Sequence, residues 1–240
     1  MILDVFIKVG FDLTRVPLYL RQTSNHILGI VVDHSSTITT MKTTWNLSQK
    51  QVEDVMIYCS DRVFDEISTS SPAQINSLID IDFSASHIIQ FLIHSNHKLV
   101  RAFLHAPRKF DECLKIIVET CGVDSVSVRL LLGYSGAMVC TAFLENPKGL
   151  VEAIETVSKA QGLHKRDMIK ILGYGNSAVT TQFIQKPASV VKAIQKAAEM
   201  SGFDAGQLVR LLTYGGAVST KMLLEQPEKL ASSIAVVAQE

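Results

Sequence analysis

The sequence has no excess of charge of either sign and no long apolar run. Its 240 residues contain 23 lysines and arginines against 23 aspartates and glutamates, so the formal net charge is zero. This balance argues against a strongly basic protein that coats nucleic acid without specificity. No stretch reaches the roughly 18 uninterrupted apolar residues that a membrane-spanning helix needs, and we expect no association with a membrane.

Cysteine is scarce, and no two cysteines form a CxxC pair. The four cysteines are Cys59, Cys113, Cys121 and Cys140. Three of them fall within apolar helical patterns, which is typical of reduced, buried thiols in an intracellular protein. The N-terminal stretch carries charged residues and no small-residue cleavage site, so it does not resemble a signal peptide. We expect an intracellular location, and we leave open a secreted effector that acts inside a host cell.

The sequence also lacks the motifs of catalysis. It contains no nucleophile motif, no glycine-rich phosphate-binding loop after a strand and no paired carboxylates in a defined frame. Four histidines cluster in one segment: His87, His94, His97 and His105. Because a metal site usually includes cysteine or carboxylate ligands as well, we expect no metal there. The sequence therefore predicts a protein that is not an enzyme and that needs no cofactor.

What the sequence does contain is a repeat. Four of the six prolines recur every 40 residues, and three glycines and three tyrosines keep the same interval. The members of the three series are Pro107, Pro147, Pro187 and Pro227; Gly122, Gly162 and Gly202; and Tyr134, Tyr174 and Tyr214. A fixed period of this size indicates a stack of similar structural units.

The period divides the chain into a single array of six repeats after an N-terminal extension at 1–9. The repeats span 10–45, 46–81, 82–121, 122–161, 162–201 and 202–240. The first two are shorter and depart from the pattern, as terminal repeats of stacked arrays commonly do. The last one stops at Glu240 before its closing glycine position, so we leave open an array that continues beyond it.

Each repeat shows the signals of two or three helices. The first helix starts after a residue that caps helices well, namely Ser48, Ser84, Asp124 or Asp204. It ends at a loop such as 174–176, where we expect glycine or asparagine to adopt a positive φ. The recurring proline either opens a third helix or kinks one long helix, and the sequence allows both. Gly162 and Gly202 are placed to close the last helix of a repeat.

These observations together predict an all-α protein. We expect a right-handed α-solenoid, or superhelix, of about six stacked helical repeats of 36–40 residues. The same pattern gives no reason to expect an oligomer, and we expect a monomer.

The stretch 202–217, GFDAGQLVRLLTYGGA, resembles a TAL-effector-like DNA-binding repeat. The shared features are an opening Phe with a small capping residue, aliphatic residues at helical spacing, a two-residue loop and a following glycine. The likeness covers the first half of each of the six repeats. It implies a superhelix that wraps double-stranded DNA with one repeat per base pair. A lesser likeness to Pumilio-type RNA-binding repeats rests on 214–216 and the helix after it.

The resemblance also implies roles for the loop residues. The first loop residue would brace the loop, and the second would face a base in the major groove. The first-position residues are Gln22, Tyr58, His94, Tyr134, Tyr174 and Tyr214, and the second-position residues are Thr23, Cys59, Ser95, Ser135, Gly175 and Gly215. Lys98, Arg101 and Lys221 would contact phosphates.

The sequence departs from that family at two places. The family prefers Asn or His at the first loop position, and only His94 complies. Its basic or amide residues after the loop are replaced by Met138, Ala178 and Val218.

The distribution of charge keeps a second function open. Two basic and six acidic residues give 46–81 a net charge of −4, whereas six basic and two acidic residues give 162–201 a net charge of +4. A DNA-binding array should present a continuous basic track, because phosphate contacts supply most of the affinity. The alternative is a protein–protein interaction scaffold that does not bind nucleic acid.

The fold prediction can be tested in solution. We expect a far-UV circular dichroism spectrum dominated by α-helix, and small-angle X-ray scattering from an elongated monomer. Substantial β-sheet, or the scattering of a compact sphere, would contradict a stack of helical repeats.

Overall fold

The computed structural model describes residues 2–71, 84–159, 162–230 and 232. All regular secondary structure in these residues is helical, so the predicted all-α class is confirmed. None of the described helices has the length and apolarity that crossing a bilayer would require. The Cα positions group into an N-terminal body, Met1–Asp111, and a C-terminal body, Glu112–Glu240.

The N-terminal body is built from short helices. They are α1 Ile2–Lys8, a 3-10 helix Leu13–Arg15, α2 Val16–Gln22, α3 Asn25–Asp33, α4 Ser35–Thr44, α5 Gln49–Tyr58, α6 Asp61–Thr69, α7 Ala85–His94, α8 His97–His105 and the start of α9 Pro107–Cys121. Helices α2, α5 and α7 are the first helices of the expected repeats. Helix α5 packs on both α2 and α7, and α6 packs on both α3 and α8.

The C-terminal body repeats a group of three helices. Its helices are α10 Ser125–Tyr134, α11 Ala137–Glu145, α12 Pro147–Ser158, α13 Lys165–Tyr174, α14 Ser177–Gln185, α15 Pro187–Ser201, α16 Ala205–Tyr214 and α17 Ala217–Glu225, and 227–230 is also helical. The first helices α10, α13 and α16 pack in sequence, as do the second helices α11, α14 and α17. Equivalent helices of successive repeats are therefore neighbours within this body.

The recurring proline opens a third helix, which settles the alternative that the sequence left open. The residue before each proline lies outside the α region, with φ of −139° at Ala106, −145° at Asn146 and −140° at Lys186. The proline ring disfavours the α conformation at the preceding residue. The second helix must therefore end there, and the proline, whose missing N–H costs nothing at a helix start, begins the next one.

The predicted caps at the start of the first helices are formed in most repeats. The side chains of Ser48, Asp124 and Asp204 each accept a hydrogen bond from a backbone N–H three residues on. Ser48 and Asp204 also form complete capping boxes. Ser84 is the N-cap of α7 but makes no side-chain capping bond.

The glycines divide into two groups that the sequence did not separate. Gly162 and Gly202 both have positive φ, of 74° and 69°. Gly202 caps α15 as expected, whereas α12 ends at Ser158 with Lys159 as its C-cap, so Gly162 does not cap that helix. The loop glycines differ from the prediction: Gly175 and Gly215 have φ of −65° and −66°. The chain turns there through extended backbone, so these positions need a small residue for another reason, which the packing of the loop supplies.

An ion pair with one buried partner joins the 3-10 helix to α5. Glu53 on α5 is 2% exposed, and it accepts hydrogen bonds from Arg15 and, at 3.2 Å, from Gln49 Nε2. The Arg15 guanidinium carbon also lies 5.5 Å from the ring centroid of Tyr19. Burial and the nearby Glu53 carboxylate raise the pKa of Tyr19. The loss of Arg15 would leave the buried Glu53 carboxylate without its cation.

Two glycine substitutions should change stability in opposite directions. Gly202→Ala places a side chain at positive φ and should lower the free energy of unfolding by about 1 kcal/mol. Gly29→Ala lies within α3, where an added Cβ meets nothing within 4 Å, and should raise it by about 0.5–1 kcal/mol. Urea unfolding followed by circular dichroism measures both. Equal changes in the free energy of unfolding would contradict the positive φ at Gly202 and the helical conformation at Gly29.

Candidate binding surface at the helix–loop–helix junctions

The three repeated tyrosines form a row on the surface of the C-terminal body. Tyr134, Tyr174 and Tyr214 are the last residues of α10, α13 and α16, and these helices pack in sequence. The ring centroids are 5.0 Å apart for Tyr134 and Tyr174 and 6.2 Å apart for Tyr174 and Tyr214, with 33° between the planes in each pair. The side chains are 38%, 38% and 71% exposed. We call these three residues the tyrosine row.

Tyr174, in the middle of the row, has a raised pKa. Burial is the main cause, and the neighbouring Tyr134 and Tyr214 raise the pKa further. The row offers apolar ring surface together with hydroxyl groups that both donate and accept hydrogen bonds.

The second loop position has the opposite exposure to the one that the resemblance implies. The side chains of Thr23, Cys59, Ser95 and Ser135 are all buried. The Ser135 hydroxyl donates to the carbonyl of Leu131, one turn back in its own helix. As these side chains stand, they are not available to a base edge.

The two loop glycines show why this position is small. A Cβ added to Gly175 would lie 2.3 Å from the carbonyl oxygen of Ile171, and one added to Gly215 would lie 2.2 Å from that of Leu211. In each case the loop N–H donates to that same carbonyl. The second loop residue therefore packs beneath the loop, while the first loop residue is presented to solvent.

The first-position residues of the N-terminal body follow the same rule. Gln22, Tyr58 and His94 are each the last residue of a first helix, and each is exposed. All six first-position side chains are thus accessible, three of them in the tyrosine row.

The three predicted phosphate contacts are all exposed, and two of them face carboxylates. Arg101 Nε lies 3.9 Å from Glu66 Oε1, and Lys221 Nζ lies 3.9 Å from Glu225 Oε2. Lys98 is exposed on α8. Because exposed ion pairs of this kind contribute little, all three cations remain accessible to a partner.

The second helices add apolar surface immediately after the loops. Met138 and Val218, each the second residue of its helix, are 37% and 76% exposed, and Ala178 at the same position is half-buried. The resemblance would place cationic or amide side chains there. The surface after the loops is therefore apolar where a phosphate-binding array would be polar.

Asn176, which we expected to turn the chain at positive φ, has φ of −66° and links two of the loops. Asn176 caps α14 by accepting hydrogen bonds from the N–H groups of Ala178 and Val179, at 3.0 and 3.2 Å. Its amide nitrogen donates to Thr220 Oγ1 at 2.8 Å and to the Gly215 carbonyl at 3.3 Å, both in the next repeat. Asparagine at an N-cap is a signal visible in the sequence, but its cross-repeat bonds are not.

The described histidines and cysteines do not assemble into a metal-binding cluster. In the part of the chain that the structure describes, no group of three or more His, Cys, Asp or Glu side chains is arranged to bind a metal ion. All four cysteines are buried and free of disulfide bonds. Burial raises the pKa of Cys59 and of Cys140 to about 12, so both are protonated thiols with little nucleophilic character.

Comparison of the chain with protein-family models, with curated proteins and with solved structures found no match.

The coupling within the tyrosine row can be measured by titration. In a Tyr134→Phe/Tyr214→Phe variant, the pKa of Tyr174 should move part of the way back towards its ordinary value, since burial remains as the larger cause. Carbon-13 NMR of the tyrosine ring during a pH titration reports this shift. Tyr58→Phe, in the N-terminal body, is the matched control and should leave Tyr174 unchanged. An unchanged Tyr174 in the double variant would show that the phenols do not interact.

Proposed function

We propose that the protein is a non-catalytic α-solenoid that binds a protein partner through the tyrosine row. The array would consist of stacked three-helix repeats, and the three tyrosines of the C-terminal body would form its binding surface. The observation that carries the proposal is that three equivalent tyrosines lie in register and are exposed.

The composition of the surface supports a protein partner. Tyrosine and methionine are enriched in protein–protein interfaces, and lysine and glutamate are depleted there. The tyrosine row, with Met138 and Val218 beside its loops, has this composition. Tyrosine is also among the residues that contribute most to binding energy, since a large ring loses little conformational entropy when it is covered.

Double-stranded DNA is the second candidate, and one observation favours it. The cations of 162–201 include Lys165, Arg166 and Lys170 on α13, the helix that ends at Tyr174. One observation favours protein instead, which is that the side chains of the second loop positions are buried.

A peptide-display selection tests the proposal. We expect the wild-type protein to enrich peptides from a random library, and Tyr174→Ala to weaken their binding by at least about tenfold, because truncating a central interface tyrosine removes about 2 kcal/mol. Tyr58→Ala is the control, since it removes an exposed tyrosine outside the row. Circular dichroism confirms that each variant is folded.

Duplex binding, measured in parallel over a range of salt concentrations, separates the two candidates. DNA binding that weakens steeply with salt and is lost in Lys98→Ala/Arg101→Ala, with no peptide enriched, would replace the protein proposal with the DNA one.

A further inference from the structure

A basic groove lies between two successive first helices, on the side of the tyrosine row. It has a volume of about 500 Å³ and runs between α13 and α16. Its lining includes His164, Asp167 and Lys170 from the earlier repeat, and Gly206, Arg210 and Tyr214 from the later one. Tyr214 thus belongs both to this groove and to the tyrosine row, so the two surfaces are continuous.

The charge of the groove is positive. Lys170 Nζ is paired with Asp167 Oδ1 at 3.3 Å, so these two side chains largely neutralise each other. Arg210 is exposed, and among the described residues no carboxylate lies within ion-pairing distance of it. Asp204, at the start of the same helix, uses its carboxylate to cap the N–H of Gln207. One guanidinium is therefore left without a counter-charge beside an aromatic ring.

The shape of the groove leaves that guanidinium accessible. Gly206 lies one turn before Arg210 on α16, and Gly162 lies on the opposite side of the groove. Neither carries a side chain, so the space in front of Arg210 is open. A planar guanidinium binds a carboxylate through two parallel hydrogen bonds, and a tyrosine hydroxyl can donate a third.

We propose that this groove binds a carboxylate side chain of the partner, so that the partner segment on the tyrosine row is acidic. The inference rests on the proposed function and names the chemistry of the partner. Aromatic or aliphatic side chains of the segment cover the tyrosine row, and a glutamate or aspartate enters the groove and pairs with Arg210. The positive charge of 162–201 attracts such a segment from a distance, because opposite charges steer encounter.

Two defined peptides test this inference. The first is a short fluorescein-labelled peptide in which glutamate alternates with tryptophan, and the second has glutamine in place of every glutamate. By fluorescence anisotropy, the wild-type protein should bind the glutamate peptide about tenfold more tightly, because a hydrogen bond between two charged groups is stronger than one to a neutral amide. Arg210→Gln should abolish this preference while it leaves binding of the glutamine peptide unchanged.

Two further variants distinguish binding of the carboxylate in the groove from attraction by the positive charge of the whole segment 162–201. Gly206→Gln fills the groove with an uncharged side chain and should also abolish the preference. Lys192→Gln removes one positive charge from α15, outside the groove, and should preserve it. Circular dichroism and thermal unfolding show that each variant is folded.

Several results would overturn the inference. These are equal affinity for the two peptides, no measurable binding of either, a preference that survives Arg210→Gln, or an equal loss in Lys192→Gln. Tighter Arg210-dependent binding of a single-stranded or duplex oligonucleotide than of the glutamate peptide would assign the groove to phosphate instead. If displayed peptides depend on Tyr174 but are not acidic, this inference fails while the proposed function stands. If no displayed peptide depends on Tyr174, the proposed function itself fails.

Discussion

The steric demand of proline on the residue before it underlies the arrangement of the C-terminal body. Because Asn146 and Lys186 cannot adopt the α conformation, the second helix of each repeat ends there, and the third helix leaves in a new direction. Each repeat then has three short helices in place of two longer ones. The first helices α10, α13 and α16 each have ten residues and begin 40 residues apart, so their last residues come into register. The alignment of the tyrosine row is a consequence of this register.

The loops after the first helices determine which loop residue is exposed and which is buried. A first helix ends when the N–H of the second loop residue bonds back to the carbonyl four residues earlier, and the small side chain of that residue packs beneath the turn. The bulky first loop residue is thereby directed to solvent. The exposed and buried positions of the loop are thus set by backbone hydrogen bonding and by the space around Ile171 and Leu211. A protein that used the second position for recognition would need a different loop conformation.

Sequence patterns predicted the helical class, the caps at Ser48, Asp124 and Asp204 and the positive φ of Gly162 and Gly202, because each is a local consequence of one or two side chains. They did not distinguish Gly175 and Gly215 from those other glycines. At Gly175 and Gly215 an added Cβ would meet a carbonyl oxygen, whereas other repeats carry Thr, Cys or Ser at this position, and glycine looks the same in either role in a sequence. The sequence shows the tyrosines at a fixed interval of 40 residues, but their stacking depends on the distance between neighbouring helices. The basic groove, with Lys170 and Arg210 on separate helices, depends on the same distance.

The loops beside the tyrosine row are joined by polar side chains at different loop positions. Asn176 ties the loop after Tyr174 to the loop and second helix of the following repeat. The equivalent cap before α11 is Gly136, which has no side chain. The residue before it, Ser135, instead places its hydroxyl oxygen 3.4 Å from the carbonyl oxygen of Leu172 in the following repeat. Each of the two intervals in the tyrosine row is therefore spanned by a polar side chain as well as by helix packing, although the two side chains stand one place apart in the loop.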